Sequence, residues 1–371
     1  MNQWPVVLFK EESMREGMQI EDTNIPVDDK VRLLHALGET GLQHIVVGSF
    51  VSPLYTPQMA RIEEIMSKFQ PKPGIKYTAL LPNEIAMERA KPFIPPLTID
   101  QPRPNLSHHL CDIFTRRNWN RSQAQEIERW PSIVAKAQED KATEVSIGLG
   151  AAWGSNFVGE FSLEQRIAGL EKAHSFWDEV NIKVTSVSLA DPMSWTMPHK
   201  IEETILAIKK HWPEINNFSL HLHNGRGMAL VSAYAALRVL DSTDTLELDG
   251  SLGAIGGCPY CGNGRATGMM PTEDFLHMLE DMGIDTGVDL DRIIDCVWML
   301  EEVLGRITLG HVAKVGPLPK KREQWYDPNM PFVETFEQVK HFRIGPDAYQ
   351  GGISPWREPI RSEQRPETLT L

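Results

Sequence analysis

Cysteine is scarce, with four in 371 residues. That excludes a disulfide scaffold and fits a reducing, cytoplasmic setting. Basic charge is in deficit: 37 Lys and Arg face 50 Asp and Glu, for a formal net charge of -13. A nucleic-acid-binding surface spread over the chain is therefore not expected. Any anionic ligand has to be held by local basic groups or a metal. No apolar run reaches about 18 residues, so no membrane span is expected. The opening MNQWPVVLFKEE turns acidic too early for a signal peptide. No repeat of roughly 20–50 residues is present, which removes the solenoid classes. What remains is ordinary globular material, 41% hydrophobic and 23% charged, enough for a large core.

Short apolar runs alternate with longer amphipathic segments. The runs cover residues 6–10, 44–48, 76–80, 106–111, 144–149, 185–189, 218–223 and 246–249. Most are rich in Val, Ile or Leu, as buried parallel strands are. Helical spacing appears over 28–40, 122–140, 162–180, 200–211 and 228–240, and again from Pro271 to about Met282. Asp22 and Thr23 before Pro26 read as a helix-start cluster. Eight alternations predict an α/β fold, a (β/α)8 TIM barrel. The rival is a doubly wound open sheet, which would normally show a Gly-rich nucleotide turn after its first strand. Here that turn is SMREGMQ. The alternation stops near residue 286, so 1–286 is read as the catalytic barrel. Residues 287–371 are read as a C-terminal helix (289–304) and an irregular extension, with eight prolines after residue 316. That extension is expected to pack on the barrel or on a partner subunit.

Barrel active sites form where strands end and βα loops begin. The residues falling there are Arg15 and Glu16, Asp191, His221-Leu222-His223-Asn224, and Asp249 leading to Gly256-Gly257-Cys258. His221 and His223 share one face of a strand, because side chains alternate. Two inward imidazoles with the Glu16 carboxylate suit a divalent metal with open positions. The bland alternative is a pair of packed, hydrogen-bonded histidines. Cys258-Pro-Tyr-Cys261 admits three readings: a redox dithiol, half of a zinc site, or a mobile Gly-rich loop carrying a thiol to the site. The third is preferred, because the motif follows the eighth strand and no second CxxC exists. The two thiols are also close enough in sequence to form a strained disulfide, so reductant is expected to raise activity. Arg15, Arg226 and Arg265 fall on rim loops, where a guanidinium can stabilise an enolate or carboxylate. One of His108 and His109 must point inward. Trp153 and Trp195 lie where they could line a pocket.

These residues resemble a known family. Met14-Arg15-Glu16-Gly17-Met18-Gln19 is similar to the R-[D/E]-G-x-Q opening of the metal-dependent barrel lyases and Claisen synthases. Ser49-Phe50-Val51-Ser52-Pro53, Phe114-Thr115-Arg116-Arg117-Asn118, Gly256-Gly257-Cys258-Pro259-Tyr260 and Thr272-Glu273-Asp274 resemble the 3-hydroxy-3-methylglutaryl-CoA lyase branch. The likeness spans roughly residues 5–315. It implies that Glu16, His221 and His223 bind Mg2+ or Mn2+, that Arg15 stabilises an enolate oxygen, that Asp191 assists proton transfer, and that Cys258 takes part in catalysis. It implies a carbon–carbon lyase acting on a hydroxy acid or acyl-CoA. Gln19, Arg226 and Arg265 would meet substrate, and Arg116 and Arg117 could meet CoA phosphates. A homodimer is the expected assembly.

Four departures bear on the substrate. The lyases have Asp where Glu16 stands, Glu being the synthase choice. They carry Glu at the position of Val46. They carry a metal-side Asn where Met269 aligns; Asn263, inside a two-residue insertion, could replace it. They read His-Asp-Thr-Tyr where this chain has His223-Asn224-Gly225-Arg226. Fewer acids and more arginines imply a substrate other than 3-hydroxy-3-methylglutaryl-CoA. A Claisen-condensing acyltransferase and a catalytically silent barrel are the alternatives.

Overall fold

The computed structural model describes residues 4–99, 103–262 and 268–325. Eight parallel strands form one sheet: β1 (Val6–Glu11), β2 (His44–Ser49), β3 (Lys76–Leu80), β4 (Asn105–His109), β5 (Glu144–Gly150), β6 (Lys183–Asp191), β7 (Asn217–Leu222) and β8 (Thr245–Gly250). Their order is β3-β2-β1-β8-β7-β6-β5-β4. Chain neighbours are therefore sheet neighbours, and the β1–β8 ladder joins first strand to last over six residue pairs. Among the described residues no ladder joins β3 to β4. Residues 97 and 98 run beside β3 there, with Thr98 N–H donating to Tyr77 O at 2.7 Å. The fold is a TIM barrel, as the alternation predicts.

The helices α1 (Val27–Gly38), α2 (Ile62–Lys68), α3 (Glu84–Ala90), α4 (Asp112–Trp119), α5 (Gln123–Ile127), α6 (Trp130–Glu139), α7 (Leu163–Asp178), α8 (Pro198–His211), α9 (Ala229–Val239), α10 (Thr272–Asp281) and α11 (Leu290–Leu304) form the outer layer. The segment predicted as one helix over 122–140 is two. Pro131 lacks an N–H and its ring clashes with the preceding turn, so it is tolerated only in the first turn of a new helix. Ser122 and Ser162 start their helices with reciprocal capping boxes to Gln125 and Gln165. The Asp22–Thr23 start signal is not used as a cap. Pro26 occupies the cap of α1, and Asp22 accepts from Asn24 N–H in a turn instead. Ile293, Ile294, Val297 and Leu300 of α11 share a core with Leu33 and Leu34 of α1.

β7 and β8 are fully buried on alternate residues only. Leu246 and Leu248 of β8 pack against helices, while Glu247 and Asp249 face inward with partial exposure. The barrel interior is polar where branched apolar side chains would commonly fill it. Lys10 pairs with Glu247, and His44 Nε2 meets Thr78 Oγ1 at 2.8 Å. Below them a cavity of about 980 Å³ opens at the N-terminal end, lined by Ser146, Ser186, Ser188 and Ser219 among others. Of the β4 histidines, His109 has the inward parity. Its ring lies over Gly150, where a Cβ would sit 1.7 Å from Nδ1. His108 packs on Trp130. Burial holds both neutral, pulling His109 down to about 3 and His108 to about 4.

Candidate active site

The site begins where β1 ends. Five residues, Ser13–Gly17, form a single π-type turn, a geometry common at functional sites. The Glu11 carboxylate fixes its start: it accepts from Ser13 N–H at 3.0 Å, Ser13 Oγ at 2.6 Å and Leu252 N–H at 3.2 Å. Burial pushes that carboxyl up to about 7. The turn delivers Arg15 and Glu16 to the barrel mouth, and Arg15 Nη1 contacts the Glu16 carboxylate.

Across the barrel, β7 contributes His221 and the chain just beyond it His223. Their Nε2 atoms are 3.0 Å apart. Glu16 Oε1 lies 3.5 Å from His223 Nε2 and 4.0 Å from His221 Nε2. One ligand atom from each of the three lies within 4.8 Å of the others, so the predicted metal set is brought together. The donor set fits a divalent ion. His221 Nδ1 is held by Asp249 at 2.9 Å, which favours the proton on Nδ1 and leaves the Nε2 lone pair for the centre. Burial would lower the His221 pKa, but the charge and hydrogen bond of Asp249 outweigh it and raise it. Asp249 was not assigned this role from sequence. Its register one step past the Leu220–Leu248 pair is the signal that places it beside His221.

The loop after β8 closes over the π turn. Gly256 has φ +101, and a Cβ there would lie 3.0 Å from Glu16 O. Cys258 is buried. Its pKa is lowered chiefly by a hydrogen bond from the Cys261 thiol, with burial opposing. Cys261 is raised by the same contact, and its Sγ meets Pro192 O at 3.1 Å. Both cysteines are thiols. Residues 256–262, the described start of the thiol-bearing loop, are hydrogen-bonded at three points. Gln19 Nε2 donates to Gly257 O (3.2 Å), Arg117 Nε to Tyr260 O (2.8 Å) and Asn156 Nδ2 to Cys261 O (3.3 Å). Asn263 and Arg265 lie outside the described residues.

The other predicted residues fall as follows. Asp191 is fully buried, and its oxygens accept from Trp195 N–H, Thr196 N–H and the Thr196 hydroxyl. Arg226 donates from Nη1 to Met193 O at 2.7 Å and Ser194 O at 2.9 Å, and its guanidinium sits over Trp195. Arg116 is exposed and paired with Asp112. Trp153 is buried against α8, its Nε1 donating to Thr204 Oγ1. Trp195 Nε1 donates to Asn156 Oδ1 at 3.0 Å.

An eight-stranded parallel barrel with two imidazoles and a carboxylate converging at the C-terminal mouth is a barrel enzyme with a candidate metal centre. The chain belongs to the HMGL-like family, which matches residues 7–299, and is an HMG-CoA lyase-like enzyme of the carbon–carbon lyase type. It is 30% identical over 300 residues to the mitochondrial hydroxymethylglutaryl-CoA lyase of Gallus gallus, covering 81% of this chain and 94% of that one. It is 29% identical over 314 residues to the (R)-citramalyl-CoA lyase of Chloroflexus aurantiacus, covering 82% and 93%. Among solved structures, an HMG-CoA lyase from Acinetobacter baumannii in complex with coenzyme A and 3-methylmalate superposes with a TM-score of 0.67 at 27% identity. The match covers 85% of this chain and 97% of that one.

Proposed function

We propose that the protein is a divalent-metal-dependent lyase that splits a 3-hydroxy-3-substituted acyl-CoA, or a related hydroxy acid, other than 3-hydroxy-3-methylglutaryl-CoA. The observation that carries the reading is the convergence of Glu16, His221 and His223 with Arg15 on the Glu16 carboxylate. Glu16, His221 and His223, with Asn263 as a further ligand, would hold a Mg2+ or Mn2+ ion, which would supply Lewis-acid chemistry to the substrate oxygens.

The chain's own groups do the rest. The hydroxyl proton passes to a base, the bond between C2 and C3 breaks, and the electron pair goes to C2 of the thioester as an enolate. Arg15 places a fixed positive charge beside the enolate oxygen. Cys258, with its lowered pKa, is the proton carrier of the loop side, and its proton completes the acetyl product. Asp191 shapes the facing turn through residues 195 and 196 and supports proton transfer from there. Gln19 and Arg117 hold the thiol loop at Gly257 and Tyr260. Arg116 and Arg117 on α4 are the candidate partners of CoA phosphates, and Arg226 and Arg265 of a substrate carboxylate.

Glu16, the synthase choice, keeps the condensing direction as the second reading. Incubation of the Mn2+-loaded protein with a panel of 3-hydroxyacyl-CoA thioesters tests both. Release of acetyl-CoA with a keto product supports the lyase. Free thiol released only from acetyl-CoA plus 2-oxo acids supports the synthase. Best turnover on the 3-methylglutaryl compound refutes the altered specificity. The same reading expects a cytoplasmic homodimer, and sedimentation velocity decides the assembly.

A further inference from the structure

One carboxylate at the barrel mouth has no role in the triad. Glu12 directly follows β1. Its N–H donates to Gly250 O at 2.8 Å, which ties it to β8. It stands one step past the Glu11–Ile45 pair and so beside Val46 of β2. Glu12 is only 9% exposed, and its Oε2 makes no hydrogen bond. The nearest cation, Arg15 Nη1, is 3.7 Å away, outside hydrogen-bond reach. A buried carboxylate oxygen left without a donor is costly, so it marks a place where a donor is supplied from outside the chain.

Glu12 lines a cavity of about 400 Å³ whose walls also include Lys10, Arg15, Val46, Leu81 and Met87. Arg15, on its wall, touches the triad residue Glu16. A substrate gripped at the triad through its hydroxyl therefore has this cavity next to its hydroxyl-bearing carbon. One water needs about 10–15 Å³ of such space, so a methyl group leaves most of the cavity empty. Val46, Leu81 and Met87 suit an alkyl chain, and Glu12 suits a hydrogen-bond donor on it.

We infer that this cavity receives the 3-substituent of the substrate, and that the substituent is an alkyl arm of several atoms bearing a hydroxyl or amide donor that binds Glu12. The inference rests on the lyase reading and narrows its substrate class. Glu12 is then a specificity residue that touches the arm and not the reacting atoms.

Three CoA compounds that differ only at C3, with methyl, propyl or 3-hydroxypropyl arms, test it. As thioethers they cannot be cleaved, and their affinities for the Mn2+-loaded protein are read by calorimetry. The 3-hydroxypropyl compound should bind at least about tenfold tighter than the methyl one, in line with one charge-assisted hydrogen bond and added apolar burial. Glu12→Ala should erase its advantage over propyl, and Glu12→Gln should keep part of it. In the Glu12→Ala background, Val46→Glu returns a carboxylate to the same cavity from the neighbouring strand and should restore part of the advantage. Equal affinities for the three arms, no binding of any, or an advantage that survives Glu12→Ala would overturn the inference. The matching thioesters separate the two readings. Cleavage without arm preference keeps the lyase and removes the arm. Arm-dependent binding without cleavage of any thioester removes the lyase and keeps the arm.

Discussion

The Asp249 carboxylate grips His221 Nδ1 through both oxygens, at 2.9 and 3.0 Å. The pair is half-buried, and its register follows from the β7–β8 ladder. An imidazole fixed in this way presents one defined nitrogen to the centre, and the carboxylate raises its basicity as a ligand. Asp249→Asn keeps the shape and removes the charge. It should weaken Mn2+ affinity by about 10–100-fold, the range for such partners, with little change in Tm of the metal-free protein. Calorimetric titration with Mn2+ checks this; unchanged affinity would show that Asp249 serves the barrel wall alone.

Cys258 owes its lowered pKa first to the hydrogen bond from Cys261. Cys261→Ala removes that donor, so the Cys258 thiol should titrate at higher pH than in the wild type. The alkylation rate of Cys258 by iodoacetamide, followed against pH by mass spectrometry, should shift its midpoint upward. If Cys258 is the proton carrier, the pH profile of turnover moves with it. A midpoint that stays in place would mean that the thiolate is held by other groups.

How much of this was open to reading along the chain depends on distance in sequence. His221 and His223 are two apart, so strand alternation alone sets them on one face, and all eight strands were legible from their apolar runs. Asp249 and Glu12 were not, because each acquires its meaning from a neighbouring strand's register, which one strand does not carry. The same limit hid the polar interior: in LELD the apolar pair stands out, while the inward Glu247 finds Lys10 only across the sheet. The helices α2 and α3, seven residues each, are too short for a 3.6-residue period to emerge. The anchoring of the cysteine loop depends on Gln19, Arg117 and Asn156, contributed by three separate loops or helices.

Gly256 carries the contact between the cysteine loop and the π turn. Its φ of +101 suits glycine, and a Cβ would meet the Glu16 carbonyl oxygen at 3.0 Å and its carbon at 3.2 Å. Neither neighbour is a flexible side-chain end. Gly256→Ala should lower stability by about 1–3 kcal/mol and displace the backbone of Glu16. Mn2+ affinity should fall together with Tm. A variant that loses stability but binds Mn2+ as tightly as the wild type would uncouple the loop from the metal set.

Glu273 opens α10, fully buried, and accepts from Gly253 N–H with both oxygens, at 2.9 and 3.1 Å. Burial, reinforced by the Asp274 charge, pushes its carboxyl up to about 8. An unfolded glutamate titrates near 4.3, so between about pH 4.3 and 8 the folded state holds the proton more tightly. The stability this contributes is complete below the unfolded value and is lost as pH rises towards 8, at up to about 1.4 kcal/mol per pH unit while the difference in bound protons persists. Glu273→Gln, which keeps an oxygen acceptor and cannot ionise, should flatten this part of the profile and be more stable than wild type at pH 8. Chemical denaturation at pH 5, 6.5 and 8 measures the slope. Parallel profiles for the two proteins would show that Glu273 stays ionised in the fold and that the Gly253 N–H, shared between its oxygens, helps offset the cost of burying the charge.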